Sequence, residues 1–345
     1  MLSKLMTSLA VDYQGGGRFK PRSYEPTEPA SGEVRIAVAF TGICGTDLKI
    51  AHGAMDQRIT SPWPIGHEMS GTIEALASDV TGWKPGDKVT VMPLEWCGRC
   101  PACTRGHGHV CQNLDFVGID SPGSLQQHWN VPARLLVRIP DRLSLEHATL
   151  AEPTAVAVHD VRRGGVEPAD QVVVIGGGPI GLLIALVANH IGADVLLSEV
   201  SSFRRGLANR LGLRTVDPTS EDLSTIVAEW SDGKGADVSF EVSGSKLGVL
   251  ALTDVLAVRG RGVVVAIHTE PTPVDLMAAF WKELDIRGAR VYQRADFEDA
   301  VDLLADGVIP AESLITDVVP LSKTEQAIAR LASGEDIVKL VIDSQ

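Results

Sequence analysis

Residues 171–181 read QVVVIGGGPIG, and this stretch decides the fold of the chain. The apolar run at 172–175 is typical of a strand that is covered on both faces of a sheet. The three glycines that follow predict a tight turn, and the apolar residues at 179–190 predict a helix. A strand, a glycine turn and a helix in this order predict the first unit of a parallel sheet.

The same alternation continues after residue 190. The sequence predicts three more strands, at Asp194–Glu199, Asp237–Val242 and Gly262–Ile267, and three more helices, at Ser201–Leu211, Asp222–Trp230 and Lys246–Val258. Alternating strands and helices favour an α/β fold with an open, doubly wound parallel sheet of the Rossmann type.

The chain before about residue 140 has a different pattern. Short alternating segments separated by Gly and Pro favour a mainly β body, and the clearest predicted strands are Val34–Phe40, Gly71–Leu76 and Lys88–Met92. The tail, Phe297–Gln345, contains two amphipathic helical patterns and a closing strand at Val338–Ile342. With 345 residues, the chain is long enough for about two domains.

Charge and composition disfavour several classes of protein. The chain carries 31 Lys and Arg against 44 Asp and Glu, a net charge of −13, which disfavours a nucleic-acid partner. The longest apolar run, residues 180–188, is about half as long as a membrane-spanning helix. The start, MLSKLMTSLAVDYQGGG, has no apolar core of signal-peptide length. We therefore expect a cytoplasmic protein with no membrane or nucleic-acid partner, whose five cysteines stay reduced.

The glycine turn matches the pattern G-x-G-x-x-G between a strand and a helix, where a dinucleotide-binding fold requires it. Gly176 permits the tight turn, Gly178 lets the backbone approach a pyrophosphate, and Gly181 lets helix and strand pack closely. Pro179 and Ile180 open the helix, whose free N–H groups favour phosphate. A glycine turn without a ligand is the alternative interpretation.

An acidic residue supports the dinucleotide interpretation. Glu199 ends the second predicted strand, where a carboxylate hydrogen-bonds the adenosine ribose and repels a 2′-phosphate, so that NAD is favoured over NADP. Arg204 and Arg205 leave NADP open, because a guanidinium either stacks on adenine or binds a 2′-phosphate. A solvated acid at a helix entry is the other interpretation of Glu199.

Four of the five cysteines form a compact cluster. The spacing C-x2-C-x2-C-x7-C is made by Cys97, Cys100, Cys103 and Cys111. Four thiolates this close favour a closed, tetrahedral structural zinc site. An iron–sulfur cluster is the weaker alternative, because nothing else in the chain indicates electron transfer. His107 and His109, inside the cluster, are alternative ligands or solvated loop residues.

The fifth cysteine, Cys44, lies in the segment GICGTD. Two other segments supply suitable partners: His67 and Glu68 are adjacent, and Glu152 precedes a proline. Cysteine, histidine and carboxylate ligands with one open position make a catalytic zinc set. Taken singly, the cysteine and the histidine are more often core residues, and each acid is more often a member of an ion pair.

Together these motifs resemble the zinc-dependent medium-chain dehydrogenase/reductase superfamily. GICGTD, the GHE triplet, CGRCPAC with its fourth cysteine, the EP dipeptide and GGGPIG occur in the order and spacing of that family, over nearly the whole chain. The resemblance is greatest to the polyol (sorbitol), 2,3-butanediol and threonine dehydrogenase branch. It implies a GroES-like catalytic domain at 1–152 with a zinc lobe at about 95–113, a Rossmann NAD-binding domain at 153–296, and a segment at 297–345 that returns to the catalytic domain.

The resemblance also implies roles at the catalytic zinc. Cys44 and His67 bind the metal together with one of Glu68 and Glu152, while the other glutamate approaches through water or exchanges with it. Thr46 matches the hydroxyl residue that begins the family's proton relay. Alcohol dehydrogenases of the family often end the relay at a histidine five residues after the zinc cysteine.

In this sequence that position is Lys49, and His52 is a possible substitute. The implied reaction is hydride transfer between NAD and a secondary alcohol with an adjacent hydroxyl group, in a polyol, 2,3-butanediol or a sugar acid. Candidate pocket residues are Lys49, His52, Met55, Phe116 to Asp120, His268 and Arg294. The resemblance further implies an active site between the domains and a homodimer or homotetramer, often formed at the sheet edge near residues 284–292 or at the zinc lobe.

Three alternatives stay open at this point. An L-threonine 3-dehydrogenase has the same zinc set with an amino-acid substrate. A zinc-free reductase of the same superfamily conflicts with the complete set of ligands. A non-enzymatic zinc-lobe protein that binds nucleic acid conflicts with the net charge of −13.

Overall fold

The computed structural model describes residues 7–59 and 62–345. The chain divides into two compact units, one formed by Met1–Glu152 with Ala300–Gln345 and the other by Pro153–Asp299. Within the described ranges, no helix has the length and apolar character needed to cross a bilayer. Each unit is built around its own sheets and core.

The first unit begins with short antiparallel strands. Its elements up to residue 148 are β1 (Ser8–Tyr13), β2 (Phe19–Tyr24), β3 (Glu33–Gly42), α1 (Gly45–Ala51), β4 (Trp63–Pro64), β5 (Glu68–Leu76), β6 (Lys88–Val91), β7 (Leu94–Glu95), β8 (Asp115–Phe116), β9 (His128–Pro132), β10 (Leu136–Arg138) and α2 (Leu145–Ala148). β1 lies between β2 and β4 in a small sheet, and the larger sheet runs β10-β6-β5-β3, with β9 also paired to β3.

Alternating burial builds the core of this unit. Along β3, Val34, Ile36 and Val38 are buried while the residues between them are partly exposed. They pack against buried residues of β5, β6, β9 and β10. The structure confirms the predicted strands as parts of β3, β5 and β6.

The second unit is a parallel sheet with helices between its strands. Its elements are α3 (Ala151–Gly164), β11 (Gln171–Ile175), α4 (Pro179–Ile191), β12 (Asp194–Ser198), α5 (Ser202–Arg210), β13 (Arg214–Val216), α6 (Leu223–Trp230), β14 (Ala236–Glu241), α7 (Lys246–Asp254), β15 (Leu256–Val264), α8 (Leu276–Trp281), β16 (Asp285–Gly288) and α9 (Arg294–Ala305). The strand order is β13-β12-β11-β14-β15-β16, and every pair is parallel. This confirms the doubly wound sheet, whose order reverses between β11 and β14.

One predicted boundary in this unit is wrong. The helix expected to extend to Val258 ends at Asp254, and β15 begins at Leu256 instead of Gly262. Leu256 pairs with Ala236, whose N–H donates to the carbonyl just before Leu256 (2.8 Å). A short apolar run fits a helical and a strand period equally, so that pairing with β14 decides its structure.

The chain then returns to the first unit. Its last elements are α10 (Ala311–Leu314), β17 (Ile315–Pro320), α11 (Thr324–Ala332) and β18 (Lys339–Asp343). β18 inserts between β3 and β17, antiparallel to β3 and parallel to β17. The closing strand predicted from the tail is confirmed, and β16 lies within the sheet edge expected near residues 284–292, whereas β17 and α8 were not predicted.

Candidate functional site

The loop after β3 holds Cys44. Cys44 is the residue before α1, and its N–H donates to the Asp47 carboxylate (2.9 Å). Gly42 of β3 pairs with Glu68 of β5, which brings Cys44 near His67 and Glu68. A Cβ atom at Gly42 would lie 2.3 Å from Glu68 Oε2, so that a larger residue there would displace this carboxylate. The pairing of two strands therefore assembles residues that are distant in the sequence.

These three side chains form a group of potential metal ligands. Cys44 Sγ, a ring nitrogen of His67 and a carboxylate oxygen of Glu68 all lie within 4.8 Å of one another. His67 and Glu68 are buried, and the ring of Phe116 packs edge-on against the imidazole with centroids 5.2 Å apart. A thiolate, an imidazole and a carboxylate are donors that zinc accepts in catalytic sites.

The charges around His67 favour a cation at this position. Burial alone would lower the pKa of His67, but the Asp47 carboxylate, a hydrogen bond to Cys44, the charge of Cys44 and the Glu152 carboxylate raise it to about 10. His67 Nδ1 lies 3.8 Å from Asp47 Oδ1, and neither atom has a hydrogen-bond partner among the described residues. The donor set and the surplus of negative charge both fit a divalent metal ion.

The other predicted members of this centre lie on α3 and α1. Glu152 is buried in the first turn of α3, and its charge acts on His67, but it lies outside the group of three ligands. Thr46 is partly exposed in the first turn of α1. Lys49 is in the last turn of that helix, and His52 is its exposed C-cap.

Lys339, at the start of β18, was missed by the reasoning from sequence. Its ammonium group donates to both carboxylate oxygens of Glu68, at 2.8 and 2.6 Å, and to the Ile43 carbonyl at 3.2 Å. Burial would lower the pKa of Lys339, but the charges of Glu68 and Cys44 raise it. The available signal was a single lysine inside the apolar segment 337–342.

The second group of potential metal ligands consists of four thiols. The sulfur atoms that converge are those of Cys97, Cys100, Cys103 and Cys111. Three of their separations are 3.5, 3.8 and 3.5 Å. Sulfurs bound tetrahedrally at about 2.3 Å from zinc are about 3.8 Å apart, so that this cluster fits the ion. His107 and His109 lie outside the group of four.

Backbone groups lower the pKa of two of these thiols, Cys97 and Cys100. The N–H groups of Arg99 and Cys100 lower the pKa of Cys97 to about 6. Removal from water and the neighbouring sulfurs raise the pKa of Cys103 to about 12 instead. A cation among the four sulfurs resolves this conflict, because it stabilises all four thiolates at once.

The second unit carries the glycine motif at the end of β11. Gly176 has a φ of +108°, and an added Cβ atom would lie 2.8 Å from the backbone nitrogen of Ser243. An added Cβ atom at Gly181 would lie 1.8 Å from the Gly176 carbonyl oxygen, so both positions require glycine. At Gly178, the N-cap of α4, an added Cβ would meet nothing within 4 Å. Pro179 is the first residue of α4, and this open helix start fits a pyrophosphate.

Glu199 lies directly beside this loop, just after β12. Its carboxylate accepts hydrogen bonds from the Gly177 N–H (2.6 Å) and from the Ser201 N–H (2.7 Å). Arg205 donates to the Glu199 carbonyl (2.7 Å) and pairs with Asp217 (2.7 Å). Arg204 is more exposed, with Nη1 3.9 Å from the Glu199 carboxylate. Of the two arginines, Arg205 is therefore the one whose guanidinium already has close partners within the protein.

Two expected substrate-pocket residues form bonds within their own units. Asp120 is paired with Arg58 through two bonds, one of them 2.6 Å between Nη2 and Oδ2, and it accepts the Phe116 N–H (2.8 Å). Arg294 Nε donates to Glu298 one turn further along α9 (2.9 Å). Each of these side chains has a structural partner that a substrate would have to replace.

Two family models match the chain. The alcohol dehydrogenase GroES-like domain matches residues 30–141, and the zinc-binding dehydrogenase model matches residues 179–306. The 2-dehydro-3-deoxy-L-galactonate 5-dehydrogenase of Pseudoalteromonas atlantica is 45% identical over 97% of this chain and 98% of its own length. The D-xylulose reductase A of Aspergillus oryzae is 33% identical over 90% of this chain and 89% of its own length.

Solved structures show the same similarity. A zinc-binding dehydrogenase from Sinorhizobium meliloti bound to NADP has a TM-score of 0.91 at 29% identity, covering 98% of this chain and 99% of that one. The 2R,3R-butanediol dehydrogenase of Bacillus subtilis has a TM-score of 0.90 at 28% identity, covering 97% and 99%. With its two groups of metal donors and its glycine loop, the chain therefore belongs to the zinc-binding dehydrogenases of the medium-chain alcohol dehydrogenase type, and it is an oxidoreductase.

Proposed function

We propose that this protein is a zinc-dependent dehydrogenase that exchanges a hydride between NAD and a secondary hydroxyl group of a polyol or sugar acid. The observation that carries the proposal is the group formed by Cys44, His67 and Glu68, whose ligand atoms lie within 4.8 Å of one another. The proposal assigns the catalytic metal to the first unit and the dinucleotide to the second unit.

The charges of the first unit suit a catalytic metal. Cys44, His67 and Glu68 would hold zinc, which acts, when bound, as a Lewis acid that lowers the pKa of a hydroxyl group. One thiolate and one carboxylate balance the double charge of the ion. The buried ammonium of Lys339 donates to the Glu68 carboxylate and is also influenced by the charge of Glu152, so that it offsets part of the negative charge that remains.

Thr46 is the residue to which we assign the substrate's proton. Its hydroxyl belongs to a partly exposed residue two positions after Cys44, in the first turn of α1. A hydroxyl group accepts one hydrogen bond while it donates another, so that it passes a proton onward without holding a charge.

The dinucleotide is assigned to the loop at Gly176–Gly181 and to Glu199. The start of α4 offers unpaired N–H groups to a pyrophosphate, and Gly178 leaves room for its approach. NAD supplies the hydride acceptor when it is bound. The Glu199 carboxylate, held at Gly177, suits ribose hydroxyls and repels a 2′-phosphate, so we infer a preference for NAD over NADP. Arg204 is assigned to the adenine side.

The substrate class is inferred from the relatives. The relative that is 45% identical is named for a dehydrogenation of a deoxy sugar acid, and the one that is 33% identical is named for xylulose. Both names describe chains of carbon atoms with several hydroxyl groups. We therefore propose sugar acids and polyols as substrates, with butanediol as a smaller member of the same vicinal-diol class.

The test is NADH formation by the purified protein with a panel of alcohols. The panel contains aldonic and deoxy sugar acids, xylitol, 2,3-butanediol, L-threonine and ethanol, each offered with NAD and with NADP. We expect the largest kcat/KM for a sugar acid or polyol with NAD. Faster turnover of ethanol would contradict the substrate class, and faster turnover of L-threonine would identify a threonine dehydrogenase instead.

We further propose that two copies of the chain associate through β16, the last strand of the parallel sheet. Antiparallel pairing of two copies about Ile286 puts each Asp285 opposite an Arg287, an arrangement of opposite charges. The preceding helix α8 exposes four large apolar side chains, those of Leu276, Met277, Phe280 and Trp281. A patch of this kind is typical of a protein interface.

Light scattering during size-exclusion chromatography tests this association. We expect a dimer, or a tetramer built from it, for the unmodified chain and a smaller particle for Trp281→Glu. The matched control is Val318→Glu on β17, a half-exposed apolar residue of the first unit. A monomeric unmodified chain, or equal effects of both variants, would contradict the proposal.

The five cysteines suit a reducing compartment, and we propose that the protein works in the cytoplasm. None of the five forms a disulfide bond. Thiols kept reduced are available as metal ligands, whereas oxidation would remove them.

A further inference from the structure

Glu241 ends β14 at the carboxyl edge of the parallel sheet, beside β11. The residues after it contact the glycine loop, since an added Cβ at Gly176 would lie 2.8 Å from the Ser243 nitrogen and 2.9 Å from its Cα. The strand order reverses between β11 and β14, and α/β sheets bind their ligands at this edge.

The Glu241 side chain is fully buried, and its carboxylate contacts polar groups of three neighbouring residues. Oε1 accepts the Ser243 hydroxyl (2.7 Å) and the Gly244 N–H (2.8 Å), while Oε2 lies 3.1 Å from His268 Nε2. The Glu241 carbonyl accepts the N–H groups of residues 265 and 266, both at 3.0 Å. The segment that follows β15 is therefore held by the backbone and the side chain of one residue.

This arrangement leaves one nitrogen of His268 available. A carboxylate only accepts hydrogen bonds, so Nε2 carries the hydrogen in the pair with Glu241, and Nδ1 is an acceptor in the neutral ring. The His268 side chain is partly exposed, whereas Glu241 is not. Beside it, Ile267 exposes 66% of its surface. A polar ring atom next to an exposed apolar side chain suits a heterocyclic ligand that carries polar groups.

The proposed dinucleotide site has two halves, one on each side of β11. Glu199 follows β12 on one side, which suits the adenosine, while β14 and β15 lie on the other side. A dinucleotide that crosses the reversal point with its adenosine at Glu199 has its other nucleotide at the ends of β14 and β15. His268 follows β15 by four residues.

We propose that His268 binds the nicotinamide mononucleotide half of NAD(H), through a ribose hydroxyl or the carboxamide, and that Glu241 is the positioning residue that holds its ring. This inference rests on the proposed use of NAD.

The test compares the binding of NADH, ADP-ribose and AMP by calorimetry, using the full-length chain and its His268→Ala variant. AMP lacks the whole nicotinamide nucleotide, and ADP-ribose lacks only the nicotinamide. We expect NADH to bind about tenfold more weakly to His268→Ala, the loss of one hydrogen bond, while AMP binds unchanged. Weaker ADP-ribose binding assigns the contact to the ribose, and unchanged ADP-ribose binding assigns it to the carboxamide.

His190→Ala is the matched control, since this histidine is exposed at the far end of α4. We expect it to leave all three affinities unchanged. Unchanged NADH binding by His268→Ala would overturn the inference, as would an equal loss for NADH and AMP, which indicates general damage.

Glu241→Gln tests the same inference without removing volume from the buried position. We expect weaker NADH binding with unchanged AMP binding, because the amide disturbs the pair with His268. If His268→Ala does not fold, unchanged NADH binding by Glu241→Gln overturns the inference. An unmodified chain that binds none of the three probes contradicts the proposed function itself, so the two failures are distinguishable.

Discussion

Lys339 donates hydrogen bonds to both carboxylate oxygens of Glu68, at 2.8 and 2.6 Å, although the two residues are 271 positions apart. Both side chains are buried, and Glu68 also belongs to the group of potential metal ligands that includes Cys44. The closing strand of the chain thus supplies the positive charge that a crowded group of anions needs.

Lys339→Met leaves the Glu68 carboxylate buried without its ammonium partner. We expect the free energy of unfolding to fall by about 3–5 kcal/mol, since one charge of a buried pair is uncompensated. Lys339→Arg keeps the positive charge, so its free energy of unfolding should fall by less. Urea unfolding measures the effect, with exposed Lys323→Met as the control, for which we expect a change within about 0.5 kcal/mol. Equal stability of the two Met variants would contradict the role of the pair.

Cys44→Ser removes the thiolate of the proposed catalytic zinc site and leaves the four clustered cysteines unchanged. We expect metal analysis to fall from two zinc ions to one per chain, NADH formation to be lost, and the thermal transition to remain cooperative. A serine hydroxyl binds zinc much more weakly than a cysteine thiolate does, although it fits the same space. Full activity of this variant would exclude the proposed catalytic centre.

Glu199→Gln removes the charge beside Gly177 but keeps an acceptor for its N–H. We expect the ratio of kcat/KM for NADP to that for NAD to rise at least about tenfold, because the repulsion of a 2′-phosphate is relieved. Steady-state kinetics with both cofactors measure the ratio. The exposed Glu229→Gln is the control, and a ratio that stays constant in both variants argues against Glu199 as the selecting residue.

Asp160, on α3, is buried, and neither of its carboxylate oxygens has a hydrogen-bond partner among the described residues. Burial, together with the charge of Asp296, holds its pKa well above the ordinary value. The folded chain therefore binds this proton more tightly than the unfolded chain does, and stability is lost as the pH rises above about 4, where the unfolded carboxyl ionises.

We expect Asp160→Ala to raise the free energy of unfolding at pH 7 by about 1–3 kcal/mol, the cost of an unsatisfied buried polar group. Alanine is also a strong helix former. The gain should shrink as the pH falls to about 4 and below, because the wild-type carboxyl then becomes protonated in the unfolded state as well as in the folded state. Unfolding curves at several pH values measure this trend, and a gain that does not depend on pH would contradict it.

The fold class was predictable because its signals are local. The run 172–175 and the glycines after it report a buried strand and a turn within eleven residues, and the structure confirms them as β11 and the start of α4. The prediction of a helix over Lys246–Val258 was wrong at its end, because the structure there does not depend on local signals. Residues 255–258 take their structure from pairing with β14, which local periodicity does not contain.

The sequence by itself determined the residue types and spacings: four thiols within fifteen positions, a glycine loop between strand and helix, and an acid after the next strand. Only the tertiary structure decided how distant segments meet. The pairing of β3 with β5 brings Cys44 to Glu68, and the insertion of β18 beside β3 brings Lys339 to the same carboxylate. The physical reason is that spacing fixes contacts only within one turn or loop, whereas burial and strand pairing choose which distant charges lie together.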